Sequence, residues 1–214
     1  MMSQHNTPPK PRPTQWQSLA RRIRVPLGFV TAAVYVFEVA RRPAHPAAIA
    51  WSLALVLPGL ALRAAASGTV KKNRELAVTG PYAHTRNPLY LGSMLIAAGF
   101  AVALLSWPLA LLLAAGFAVI YIPVIAGEER FLRDTFPEFE DYCRRVPRLL
   151  PRLTPAKVQS SEAVADDSSA TAGGFSFALY RKHGEYNAAL GAALLYLSLL
   201  YLRPVLETLL HRVQ

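Results

Sequence analysis

The sequence predicts an all-α integral membrane protein with about five transmembrane helices, and three observations carry that reading. The 214 residues are 53% hydrophobic and only 17% charged, against about 45–50% and ~25% in soluble domains. The apolar excess is gathered into blocks, several of them near the ~20 residues that span a bilayer. Lys and Arg flank those blocks unevenly, as topology signals do.

The elements follow in order. Residues 1–24 are Pro-rich and basic and read as a disordered tail before Trp16; no small-residue cleavage site follows a short apolar core, so they do not read as a signal peptide. VPLGFVTAAVYVFEVA (25–40) is a short first span carrying Glu38, an intramembrane carboxylate and so a functional candidate by default. AAIAWSLALVLPGLALRAAA (47–66) is full length, with a kink expected at Pro58. PLYLGSMLIAAGFAVALLS (88–106) and WPLALLLAAGFAVIYIPVIA (107–126) are separated by so little that they form a tight hairpin. Residues 127–153 continue the fourth span as a helix, break near Pro137 and form a second short helix. VQSSEAVADDSSATAGG (158–174) reads as a flexible loop. YNAALGAALLYLSLLYL (186–202) is the fifth span. The domain plan is therefore tail 1–24, spans 25–66, a core over 67–153, a linker over 154–185, and a last span with its tail over 186–214.

Charge sets the orientation. With the N-terminus in the cytoplasm, only Arg41, Arg42, Arg203 and Arg212 of the 23 Lys and Arg fall outside. The positive-inside rule is met by an inner-membrane protein whose 67–87 and 127–185 segments are cytoplasmic. The net charge of +10 then has a topological cause, and with no aromatic-interleaved basic module no nucleic-acid partner is expected. Cys143 is the only cysteine and the five histidines are scattered, so neither a disulfide nor a metal is expected. No internal repeat points to a transporter.

GPYAHTRNPLYLG (80–92) places polar side chains at the mouth of the third span. Gly80-Pro81 makes a turn. Asn87-Pro88 starts a helix, Asn as the cap and Pro as the first helical residue. The free N–H groups of such an end attract anions, and Arg86 adds a fixed charge able to hold a carboxylate. The alternative is an ordinary capped helix with a snorkelling Arg. Glu128-Glu129 ends the fourth span on the same membrane face, which suits a cation. A ligand that is both anionic and cationic fits the two halves, as S-adenosylmethionine does. Glu128 is expected to be the buried partner. Glu129 is left between a wet-side pair with Arg133 and a base on the acceptor side. Tyr82 and Tyr90 stack on a purine or belong to the interfacial belt. His84 is a weaker candidate base. Gly92, Ala97, Ala98 and Gly99 read as close helix packing.

NRELAVTGPYAHTRNPLYLG, followed after a helical hairpin by EERFLRDTFPEFEDYCRRVPRLLP, resembles the isoprenylcysteine carboxyl methyltransferase and phospholipid methyltransferase superfamily over about residues 70–153. The resemblance implies a membrane methyltransferase using S-adenosylmethionine. It implies cofactor contacts by Arg74, Glu75, Leu76, Ala77, Tyr82, Asn87, Pro88, Leu89, Tyr90 and Glu128, beside Arg86 and Glu129 as catalytic candidates. Eukaryotic members carry His where Asn87 stands and a substrate-contacting Arg where Val124 stands, so the prenylcysteine acceptor itself is not implied. A lipophilic acceptor reaching the site from the bilayer, methylated on oxygen, is expected. The alternatives are phospholipid N-methylation, an NADPH-dependent sterol-reductase-like oxidoreductase, and a non-catalytic membrane scaffold.

Overall fold

The computed structural model describes residues 15–69, 76–157 and 175–213, and among them all regular structure is helical. Seven α-helices follow one another: α1 (Gln15–Arg41), α2 (Pro46–Thr69), α3 (Pro88–Ala103), α4 (Trp107–Thr135), α5 (Phe139–Arg145), α6 (Phe177–Lys182) and α7 (Tyr186–Val213), with a 3-10 turn at Gly80–Ala83 before α3. α2, α4 and α7 are long and apolar enough to cross a membrane. α3 is also apolar but has 16 residues, about 24 Å at 1.5 Å per residue. The all-α membrane architecture expected from the apolar blocks is what the chain forms.

Two boundaries differ from the sequence reading. α1 begins at Gln15, one residue before the expected end of disorder at Trp16, so residues 15–24 of the expected 1–24 tail belong to the first helix. The stretch carries Leu, Ala and Arg, good helix formers, and meets no proline before Pro26. The expected 154–185 linker is also ordered at both described ends. Ala156 N–H donates to the Ala83 carbonyl (2.9 Å), and α6 folds onto the end of α2 through Ser176 N–H to the Gly68 carbonyl (2.8 Å) and His183 Nδ1 to the Ser67 carbonyl (2.9 Å). Residues 158–174, the expected flexible loop, lie outside the described residues.

α2 and α3 pack antiparallel and very close. A Cβ on Gly92 would come 2.7 Å from the Gly59 carbonyl oxygen, and one on Gly99 would come 2.5 Å from Val56 Cγ2 and 2.9 Å from the Ser52 carbonyl oxygen. Small residues that admit a neighbouring backbone are the means by which helices associate without water to exclude. The core of the bundle joins Val39, Val56, Phe100, Leu104, Leu109 and Leu199 from five helices. Polar pairs lock α7 into it: Tyr35 OH donates to the Leu195 carbonyl (2.9 Å), and the Ser52 and Tyr196 hydroxyls meet at 2.8 Å.

The α3–α4 turn is as short as expected. Leu105 takes a left-handed φ of 48°, and the Ser106 hydroxyl caps α4 by accepting from Leu109 N–H at 3.2 Å. The helices then diverge. α3 follows α2, while α4 leans on α1, where a Cβ on Gly116 would lie 3.2 Å from Leu27 Cδ2. Glu38, the intramembrane candidate, sits at this turn end and is accounted for structurally. It is 6% exposed and pairs with Arg42 Nε at 2.6 Å, and Arg42 Nη1 donates to the Leu105 carbonyl at 2.8 Å.

Candidate functional site

At the other end of the bundle, residues 76–87 cross from α2 to α3 over a small core of Leu76, Val78, Phe139, Tyr142 and Val146. Gly80 has φ +58°, a backbone state open to glycine, and it starts the 3-10 turn that buries Tyr82. The loop is then zipped to the segment after α5. Arg86 N–H donates to the Pro147 carbonyl (2.9 Å), Arg152 N–H to the His84 carbonyl (3.0 Å), and Thr85 Oγ1 to the Leu149 carbonyl (3.0 Å). Tyr142 OH donates to the Tyr82 carbonyl (2.8 Å). The two sequence blocks that carry the family resemblance thus touch along their length.

Asn87 stands at the N-cap of α3 and Pro88 at its first turn, as expected, but the Asn87 side chain does not cap the helix. Its Nδ2 donates instead to the Arg148 carbonyl at 2.8 Å. His84 Nδ1 lies 2.8 Å from the Arg152 carbonyl oxygen; a carbonyl only accepts, so Nδ1 carries the proton.

The two glutamates are placed the other way round from the sequence expectation. Glu129 is the buried one, 6% exposed. It accepts from Arg148 Nε at 3.1 and 3.0 Å and also from Arg148 Nη2, and Arg86 Nη1 lies 3.3 Å away. Arg133, its expected partner, pairs with Glu140. Glu128 is exposed, and Tyr90 OH donates to its Oε1 at 3.0 Å. Adjacent helix positions are turned about 100° apart. The face of α4 that meets the 147–149 segment carries Glu129, and the face turned to α3 carries Glu128.

Arg86 also donates to Cys143 Sγ (2.6 Å), while its Nε is buried and has no hydrogen-bond partner among the described residues. Burial pushes the Cys143 thiol above its ordinary range, and the neighbouring Arg86 charge opposes that rise. Burial, and then the Glu128 and Glu185 charges, hold the Tyr82 phenol firmly protonated. Tyr142 is raised in the same direction, again mainly by burial.

Between the diverging α3 and α4 lies an apolar groove of about 420 Å³, lined among others by Met94, Ala98, Ala114, Phe117 and Leu149. Tyr90 and Tyr121 stand in it with ring centroids 4.9 Å apart, and Phe117 stacks on Tyr121 at 4.7 Å. Ala97 and Ala98 line this groove and do not join the glycines in packing on α2. Tyr90, in the groove, is bonded to the exposed Glu128 carboxylate, and Arg86 lies four residues before Tyr90, ahead of α3. Chemically, Arg86 and Glu128 suit a ligand with an anionic and a cationic group, beside an apolar slot for a second molecule.

Of the remaining expected site residues, Leu76 is buried in the small core, Ala77 is half-buried, and the Leu89 carbonyl accepts from Arg63 Nη1 (3.3 Å). Arg74 and Glu75 lie outside the described residues. Arg148 and Tyr142 were missed as site residues. Both stand in the second block of the resemblance, and an Arg three residues after a pair of Arg and beside Pro147 was the available signal.

The sequence model of the phospholipid methyltransferase family, part of the isoprenylcysteine carboxyl methyltransferase-like superfamily, matches residues 48–138. The resemblance seen in the sequence over about residues 70–153 overlaps this match, which covers less than half of the chain. Among curated proteins, the chain is similar to the nickel-cobalt-cadmium resistance protein NccN of Alcaligenes xylosoxydans xylosoxydans, 40% identical over 94 residues. It is also similar to the cobalt-zinc-cadmium resistance protein CzcN of Cupriavidus metallidurans, 39% identical over 94 residues. Each alignment covers 44% of this chain and 44% of the relative, so the similarity spans less than half of either protein. No solved structure matches the chain.

Proposed function

We propose that this protein is an S-adenosylmethionine-dependent methyltransferase of the bacterial inner membrane, with its site on the cytoplasmic face, acting on a lipophilic acceptor. The observation that carries the reading is the double position of Tyr90. Its hydroxyl is bonded to Glu128, and its ring lines the apolar groove. One residue thus joins a polar site to a slot that an acceptor tail fills from the bilayer.

S-adenosylmethionine, when bound, supplies an activated methyl group on a sulfonium. The residues present fit it: Arg86, whose Nε has no partner among the described residues, would hold its carboxylate, and Glu128 would accept from its cationic groups. Tyr82, held protonated by burial, could donate a hydrogen bond but removes no proton. The apolar groove keeps water from the transfer, and positioning carries the rate. Glu129 is engaged by two guanidinium groups, which argues against its serving as a base. An acceptor that needs none, a carboxylate methylated on oxygen, is therefore favoured over an amine. Calorimetric titration of the detergent-purified protein with S-adenosylmethionine, and with NADPH in parallel, tests the cofactor. Methyl-labelled cofactor added to native membranes tests the acceptor. Label confined to water-soluble products, or binding of NADPH alone, would overturn the proposal.

A second reading takes up the names of the two relatives: the methylation serves tolerance to metals such as cobalt and cadmium. A deletion strain that grows like its parent on both metals would remove it.

A further inference from the structure

We infer that Glu185, at the start of α7, is a positioning residue of this site: through Arg63 it fixes the first turn of α3, and with it Tyr90, at the mouth of the groove. The inference rests on the proposed reading of the site and adds to it a segment that lies beyond the family match, which ends at residue 138.

The chain of contacts is short. Arg63 lies on α2, and its stem crosses Gly92 of α3, where a Cβ would come 2.6 Å from Arg63 Cγ. Gly92 therefore admits the arginine as well as the α2 backbone. The guanidinium then divides its bonds. Nη1 donates to the Leu89 carbonyl (3.3 Å) and to Ser93 Oγ, which itself donates to the Leu89 carbonyl (3.0 Å). Nε and Nη2 donate to Glu185 Oε2 at 3.0 and 2.7 Å. The pair is mostly buried, with side-chain exposures of 23% and 14%. A guanidinium in such a place holds its geometry only while its carboxylate is there.

Glu185 is itself placed by construction. The α6 contacts to the Ser67 and Gly68 carbonyls seat the corner on the end of α2. Gly184, with φ +67°, turns the chain into α7.

Three variants of the full chain test this: Glu185→Ala, Glu185→Gln and Arg63→Lys. Amide hydrogen exchange over residues 88–95 of the ligand-free protein reads the positioning directly, and calorimetry reads S-adenosylmethionine affinity. In Glu185→Ala, exchange over 88–95 rises several-fold with residues 107–125 unchanged, and cofactor Kd rises about tenfold. Glu185→Gln, whose amide oxygen still accepts from Arg63, recovers most of both. If the alanine variant fails to fold, Arg63→Lys is expected to loosen the same segment, because one ammonium cannot span Glu185 and Leu89. Parent-like exchange over 88–95 in the folded variants overturns the inference. Altered exchange in a protein that binds no S-adenosylmethionine upholds the positioning and removes the proposed function instead.

Discussion

Glu129 and Arg148 meet fork to fork, the Arg148 Nε lying 3.1 and 3.0 Å from the two carboxylate oxygens. The contact ties the end of α4 to the segment after α5, and Arg86 approaches the same carboxylate from the loop before α3. Three separate pieces of chain converge on one buried group. Glu129→Gln removes the buried negative charge that Arg148 and Arg86 share and costs about 1.5–3 kcal/mol. Thermal unfolding in detergent should show a clear fall in midpoint, and a midpoint equal to the parent's would refute this structural role.

Glu128 should behave oppositely. It is exposed, and Tyr90 OH donates to it. Glu128→Gln should leave the unfolding midpoint nearly unchanged while weakening S-adenosylmethionine binding by about 1.5–3 kcal/mol, and Tyr90→Phe by about 0.5–1.5 kcal/mol. Calorimetric titration of both variants measures this. Parent-like affinity in Glu128→Gln would free Glu128 of any cofactor role.

The glycines of the α2–α3 contact give a test of packing. Gly99→Ala drives a Cβ towards Val56 and the Ser52 carbonyl, and Gly92→Ala towards the Gly59 carbonyl. Overpacking of this kind costs about 1–3 kcal/mol. Gly28→Ala on α1, where a Cβ meets nothing within 4 Å, should be neutral or slightly stabilising. Unfolding midpoints of the three variants check the contrast.

Cys143 reports on the site by its titration. Burial raises its thiol pKa, so the folded state favours the neutral thiol. That contribution to stability is complete below the ordinary thiol range and is lost as pH rises through the raised value. Maleimide labelling at about pH 8 should therefore be slower than for an unburied thiol, and its pH profile should lie to the alkaline side. A profile matching that of a free thiol would contradict the burial.

Topology is testable by reporter fusions. The turn at residue 106 and the segment around 156 lie at opposite ends of α4. From the charge distribution, the 156 end is expected in the cytoplasm. A periplasmic signal from a fusion after residue 156 would reverse the orientation.

The fold was legible wherever one segment decides its own state. Apolar blocks gave the long helices, and Asn87-Pro88 marked the start of α3. What the sequence could not give depends on partners far along the chain. Which of Glu128 and Glu129 is buried is settled by Arg148, 19 residues away. Asn87 spends its side chain on a carbonyl 61 residues distant, a choice that no capping rule anticipates. The groove escaped notice because Ala97 and Ala98 look like Gly92 and Gly99 in sequence, and only the divergence of α3 from α4 separates their roles. The boundary of the tail at residue 24 was set by composition, although nothing between Trp16 and Arg24 breaks a helix.

That divergence has a consequence for how the protein changes over time. The two limbs of the α3–α4 hairpin are held from behind, α3 by the glycines against α2 and α4 by Leu27 against Gly116. The width of the slot is thus written in residues that never touch what lies in it. A bulkier side chain at Gly116 would lever α4 away from α1 and narrow the slot, while Arg86, Tyr90 and Glu128 stay as they are. Selection for a different acceptor tail can act on the outer helices alone, leaving the chemistry in place while its clientele drifts.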